Sequence, residues 1–405
     1  MSTKGGPAAS SPLQSARNRQ RLFLVVLCAA YGIAVAVEDG LHQPLFKDEK
    51  HFWHTVQVFQ DYEFPPSVEE LRSYPEVLTP LSFVVWSQLE DLTGAGPFGG
   101  RLLNLVLSFA VVCIIALRRR PDDAALLAGV GMLLYPYTLP LSVHLYTDVL
   151  AVFLVLLGTA LYAHRQPVFA SVFLALAIAT RQYMLAIPTA LTAWALIEWI
   201  RGRHRQISLW LAPAAAAATI FIWFLVFGGL GPAAGMEKWV PLFPAPMLEF
   251  FNFIPGYGLY VLTLVGAFFV IPEFLLYRRW RTISFDGIQR GLVIAAVLGI
   301  AYATFPPMTY TAPMGALDRV IRPIAPNDFI RMLVFYGLAL TTCLRFTRLD
   351  LAFWILLVTF FMNMKAQLAW EKYALPTLAA LWYLKSIHAL DGGRFPLTRP
   401  AERRE

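Results

Sequence analysis

Two adjacent carboxylates, Asp48 and Glu49, stand among histidines in the run Phe46-Lys47-Asp48-Glu49-Lys50-His51-Phe52-Trp53-His54. Carboxylates one helical turn from an imidazole can move a proton or couple to an ion. Three more polar groups interrupt apolar sequence: Leu145-Tyr146-Thr147-Asp148, Thr180-Arg181-Gln182-Tyr183 and Trp370-Glu371-Lys372-Tyr373. Arg181 lies between two apolar runs, where an arginine is expensive unless paired or wetted. It can pair with Asp148 or bind an anion. Glu371 and Lys372 suit either a site or snorkelling interface anchors, and Asp48 or Glu49 would also suit a helix N-terminus, where the dipole favours an acid.

The elements that hold these groups are membrane-like. The chain has 405 residues, 58% hydrophobic and 15% charged, against roughly 25% charged for a soluble domain. Long unbroken apolar runs exclude a β-barrel, whose segments alternate. They indicate an all-α polytopic membrane protein of about twelve spans, near 21–37, 101–117, 124–141, 148–163, 167–180, 183–200, 208–227, 256–277, 288–304, 329–344, 350–363 and 373–388. The apolar stretch 78–92 is short and reads as re-entrant or interfacial. Cys28, Cys113 and Cys343 all fall inside spans and form neither a disulfide framework nor a zinc spacing.

With the N-terminus in the cytoplasm, 22 of the 33 Lys and Arg fall on the inner side, which follows the positive-inside rule. Both termini are then cytoplasmic, with a disordered tail over 1–20, one membrane domain over 21–390 and a C-terminal tail over 391–405. The longer outer loops are 38–100, 228–255, 305–328 and 364–372, and all four polar groups reach that outer face. Within the first loop, Phe46–Phe59 reads as an amphipathic helix on the membrane surface, with Phe52, Val56 and Phe59 as its apolar stripe. The net charge of +7 is concentrated at inner loops and points to no nucleic-acid partner.

In these motifs the chain resembles the GT-C membrane glycosyltransferases, most closely the dolichyl-phosphate-glucose-dependent α-1,2-glucosyltransferases. Asp48-Glu49 followed by Phe52, His54 and Gln57 resembles that family's Asp-Glu-x-x-Phe-His-x-x-Gln pattern, with one residue, Trp53, inserted between Phe52 and His54. Thr79-Pro80, Arg101-Leu102-Leu103-Asn104, Tyr146-Thr147-Asp148 and Arg181-Gln182 resemble further family elements, in the same order. Glu371-Lys372-Tyr373 with Pro376 resembles the wider class's Arg-Tyr-x-x-Pro element, with lysine for arginine.

The resemblance implies a GT-C-like bundle with interfacial helices in its first outer loop. It implies a hexosyltransferase that moves glucose or another hexose from a polyprenyl-phosphate donor to a lipid-linked or glycan acceptor, with inversion. Asp48 would act as base and Glu49 would orient the acceptor or tune Asp48. His51, His54, Gln57, Asp148, Gln182 and Glu371 would bind donor or acceptor, and Arg181 and Lys372 would neutralise the leaving phosphate. The prenyl chain would need an apolar groove open to the bilayer. No cofactor or obligatory metal is expected, since the spacing of Asp48, Glu49 and His51 matches no dedicated metal motif. A bacterial inner membrane with a periplasmic site is favoured over an ER membrane with a luminal one. The competing readings are a secondary transporter or lipid-carrier flippase, with charges near the bilayer midplane, and an acyltransferase using His144.

Overall fold

Apolar helix-forming runs punctuated by Pro, Gly and Asp set the elements. The computed structural model describes residues 12–119, 121–203, 206–239, 252–278, 285–307, 315–366 and 369–391. These form α1 (Pro12–Val37), α2 (Asp48–Gln60), α3 (Val68–Ser73), α4 (Leu81–Thr93), α5 (Pro97–Ala116), α6 (Asp123–Leu133), α7 (Thr138–Ser142), α8 (Thr147–Ala163), α9 (Pro167–Thr180) and α10 (Ala186–Ile200). There follow α11 (Ser208–Phe227), α12 (Ala233–Trp239), α13 (Pro255–Val265), α14 (Ile271–Tyr277), α15 (Phe285–Thr304), α16 (Ala316–Ile321), α17 (Asp328–Arg345), α18 (Leu351–Asn363) and α19 (Leu375–Ser386). No strand occurs among the described residues. Proline opens α5, α9 and α13, where a missing N–H costs nothing. The side chains of Asp122, Asn327 and Asp350 cap α6, α17 and α18.

Five helical stretches are long and apolar enough to cross a membrane: Gln14–Val37, Pro97–Ala116, Gln182–Ile200, Ser208–Phe227 and Pro255–Tyr277. Five shorter helices are also apolar. Large apolar side chains point outward along α1 (Val25, Ile33), α11 (Phe221, Leu225) and α15 (Leu292, Val297), the surface a membrane-embedded bundle presents to lipid. The expected run 124–141 is broken into α6 and α7, and 256–277 is a single path through a π-helical segment, Gly266–Val270. There Gly266 lies so close to α17 that a Cβ would fall 2.1 Å from the Leu338 carbonyl oxygen.

Over part of the expected 1–20 tail the chain is helical: α1 starts at Pro12, and within it Arg19 Nε lies 2.8 Å from Asp123 Oδ1 of α6. Residues 1–11 and 392–405 lie outside the described residues, as do parts of the 228–255, 305–328 and 364–372 loops.

The core is centred on α8 and α19. Every residue of α19 from Leu375 to Ser386 is buried. Trp382 packs at a tilt against Phe269, with ring centroids 4.6 Å apart, and lies against Gly131 of α6, where a Cβ would sit 2.4 Å from its ring. A second cluster joins α2 to α4: Phe52, Val56 and Phe59 meet Tyr74, Phe83 and Trp86. The stripe of α2 is therefore covered by protein, not laid on lipid. Its sequence pattern is the same in either case, because both partners are apolar.

Polar pairs mark the two ends of the bundle. At one end Glu273 of α14 binds Arg345 (2.7 Å) and Lys385 (2.8 Å), in the last turns of α17 and α19. At the other end lie the starts of α2, α5, α8, α13, α17 and α19, and the polar groups singled out above.

Candidate functional site

The acidic pair divides its labour. Glu49 is fully buried, and its two oxygens accept from Arg101 Nε and Nη2, both at 2.9 Å. They also accept from the Leu145 N–H (2.7 Å) and, one turn back, the Phe46 N–H (2.9 Å). Burial pushes the Glu49 carboxyl up, but hydrogen bonds from His144, Arg101 and those two backbone groups outweigh it and hold it down at about 2. Arg101 Nη1 donates to the carbonyls of Leu41 (3.0 Å) and Gln43 (2.7 Å), and Asn104, one turn along α5, donates to those of His144 and Tyr146. The Arg101-to-Asn104 run thus clamps the entrance of α2 to the entrance of α8. Glu49 is the pin in that clamp, with its lone pairs already engaged.

Asp48, one residue earlier, is left partly open, with its side chain 29% exposed. Its Oδ2 accepts from Lys372 Nζ at 3.1 Å, a contact across 324 residues of chain. The Lys372 ammonium is buried between the rings of Trp370 (3.9 Å to the centroid) and Tyr146 (4.7 Å). Burial lowers its proton affinity, and the charge of Arg181 adds to that effect while Asp148 and Asp48 oppose it.

Behind this pair lies a second. Arg181 and Asp148 form a buried ion pair, and the Tyr183 hydroxyl donates to Asp148 Oδ1 at 2.8 Å. The guanidinium stacks over Tyr183 and Tyr373, 5.2 and 5.5 Å from their centroids. Its Nε is buried with no hydrogen-bond partner, a donor that an incoming oxygen can satisfy. Two carboxylates and two cations thus lie in one cluster among aromatic rings. The pairs are not equally easy to open. Asp148 with Arg181 is buried on both sides, a class whose disruption costs about 3–5 kcal/mol. Asp48 with Lys372 has one partner reaching solvent, so it is the pair an entering anion separates at lower cost.

The other expected site residues fall elsewhere. Gln182 donates to the Val77 carbonyl (2.7 Å), and Thr79 donates to that of Ile178 (2.7 Å); together they fasten the first loop over the end of α9. Glu371 faces away from its neighbour Lys372. Its carboxylate accepts from the Tyr260 hydroxyl (2.8 Å) and the N–H groups of Ala316 (2.7 Å) and Leu317 (2.9 Å). Burial leaves its pKa raised, although those hydrogen bonds pull it down. Gly315 is required here, since a Cβ would come 2.1 Å from Glu371 Oε1. Glu371→Ala is expected to strand three buried donors, each worth about 1–3 kcal/mol, and to lower the melting temperature in detergent; an unchanged melting curve would remove Glu371 as the anchor of α16.

His51, His54 and Gln57 are exposed on α2. Each step of three residues turns the helix back by about 60°. His51 therefore stays beside Asp48, whereas Gln57 lies roughly half a turn round from it. Burial lowers the pKa of His51, and the charge of Lys238 adds to this while Asp48 opposes it. The structure thus gathers Asp48, Asp148, Arg181 and Lys372, with His51 at the edge, and builds Glu49, Gln182 and Glu371 into the frame.

Arg101, Tyr146, Tyr183, Trp370 and Tyr373 were not among the expected site residues. Their signal was adjacency: Tyr146, Tyr183 and Tyr373 each stand within two residues of Asp148, Arg181 or Lys372. Tyrosine and tryptophan are common at membrane interfaces in any case, which hides that signal. Among the described residues no three His, Cys, Asp or Glu side chains converge on a common point. Against protein-family models, curated proteins and solved structures alike, the chain finds no match.

Proposed function

We propose that the protein is a membrane glycosyltransferase that moves a hexose, such as glucose, from a polyprenyl-phosphate carrier to a lipid-linked or glycan acceptor, with inversion. The observation that carries this reading is the contact of Asp48 with Lys372 beside the Asp148–Arg181 pair, which unites residues from the first and last outer loops around one partly open carboxylate. In the reaction, the acceptor hydroxyl gives its proton to Asp48 as its oxygen bonds to the sugar's anomeric carbon. The bond from that carbon to the phosphate oxygen breaks, and prenyl phosphate departs as an anion. Lys372 swings from Asp48 to the phosphate, which frees Asp48 to act as base at the same moment. Arg181 offers its unpartnered Nε to the phosphate and keeps its bond to Asp148. Tyr146, Tyr183, Trp370 and Tyr373 supply ring faces for the sugar and exclude water.

The twelve-span threading supports a GT-C-like bundle with both termini cytoplasmic and the site on the extracytoplasmic face, in a bacterial inner membrane more readily than in the ER. The test is to incubate purified protein with a panel of polyprenyl-phosphate sugars and acceptors and to measure prenyl phosphate release. Release from none of them would turn the reading toward a transporter or flippase.

Lys372→Met is expected to raise the KM for the donor about tenfold or more, the loss of one charge-assisted contact to phosphate, with partial recovery in Lys372→Arg. A KM equal to that of the unmodified protein would exclude Lys372 as a phosphate ligand.

A further inference from the structure

A large apolar groove lies away from the cluster of Asp48, Asp148, Arg181 and Lys372. α15 runs along α17, held by the Tyr336 hydroxyl on the Ala295 carbonyl at 2.9 Å. It meets α13 through Tyr302, whose hydroxyl lies 2.6 Å from Thr263 Oγ1 and donates to the Leu259 carbonyl at 3.1 Å. Toward its N-terminal end α15 stands apart from α13 and α18. The space between is a cavity of about 780 Å³ walled by Leu262, Val293, Val297, Phe346, Phe353 and Phe360.

The groove has a direction. α13 begins beside Glu371, since Tyr260 bonds that carboxylate, so Leu259 and Phe360 line the groove at the candidate site's end of the bundle. Phe346 and Phe353 lie at the other end, beside Arg345 and the start of α18, and so do Gln289 and Arg290 on the first turns of α15. Arg290 is exposed and makes no ion pair among the described residues.

A largely apolar space of this size gives water few partners, and left empty it forfeits the dispersion contacts of its walls. In a bilayer a lipid chain can fill it. A polyprenyl-phosphate donor fits poorly: its phosphate belongs beside Arg181 and Lys372, so its tail would bring an apolar terminus against Arg290. A lipid of the opposite leaflet fits both ends, because its chain meets the apolar walls and its phosphate meets the guanidinium. We infer that this groove binds an anionic phospholipid from the leaflet opposite the candidate site, with its headgroup at Arg290. The choice of this lipid over the donor rests on the proposed sugar transfer, which puts the donor phosphate beside Arg181 and Lys372.

Native mass spectrometry and lipid extraction of the purified full chain test it. The unmodified protein is expected to retain anionic phospholipid. Arg290→Gln should lower retention about tenfold, the effect of one charge-assisted hydrogen bond. Val297→Phe, which narrows the groove, should lower it as well, whereas Asp48→Asn should not. Helical signal and a single size-exclusion peak check that each variant is folded, and Val297→Phe decides if Arg290→Gln is not. Retention in both groove variants equal to that of the unmodified protein, equal uptake of a zwitterionic phospholipid from mixed vesicles, or displacement of the bound lipid by polyprenyl phosphate would each overturn the assignment, the last by giving the groove to the donor.

Discussion

Asp48→Asn is expected to lower sugar transfer by about 10²–10⁴-fold, the usual contribution of a positioned general base. The substitution keeps the volume of the side chain and an oxygen that can still accept from Lys372, which now lies 3.1 Å from Asp48 Oδ2. It removes the ability to take a proton. Expression, membrane insertion and melting temperature should therefore stay close to those of the unmodified protein while prenyl phosphate release collapses. Near-normal turnover would exclude Asp48 as the base, whatever the fold does. The neighbouring acid gives the contrast, because Glu49 has no free lone pair and is expected to act on stability instead.

Glu49→Ala is expected to destabilise the protein by about 3–5 kcal/mol, the cost of leaving a buried charge without its partner. The stranded group is the Arg101 guanidinium, 2% exposed, and the Leu145 and Phe46 N–H groups lose their acceptor with it. Replacing both residues, Glu49→Met with Arg101→Leu, should recover part of the loss because no charge is left unpaired. Recovery stays partial because Arg101 also serves the Leu41 and Gln43 carbonyls. Melting curves in detergent measure all three proteins, and a single variant as stable as the unmodified chain would sink the clamp.

The same carboxyl sets a pH dependence. Its folded pKa, about 2, lies below the ordinary 4.5, so the unfolded chain binds the proton more readily. Its contribution is complete above pH 4.5 and declines as pH falls toward 2. Acid unfolding of the unmodified protein should show this loss over that interval, and the double variant should lack it.

The apolar character of the chain and most helix positions could be read directly, because a bilayer imposes long uninterrupted apolar runs on any helix that crosses it. α5 and α11 are such runs, and proline and acidic caps mark several starts. α19 was legible as an apolar run, but not its place at the centre: twelve residues with a lysine and a serine at the end give no hint that every one is buried. The break between α6 and α7 falls at Pro136, a helix-breaking signal that the apolar run on either side obscures.

In the site, residue type and motif order were enough to draw attention to Asp48, Asp148, Arg181 and Lys372. They did not reveal that Asp48 faces a lysine 324 positions away, or that its neighbour Glu49 turns inward to Arg101. Adjacent helix residues point about 100° apart, so one member of an acidic pair can meet solvent while the other is enclosed, and nothing in their one-dimensional spacing says which. Glu371 and Lys372 divide in the same way. Hydrophobic patterning is a property of the segment and survives in the chain as written. The partner of a polar side chain is a property of packing, and it exists once distant helices have been brought together.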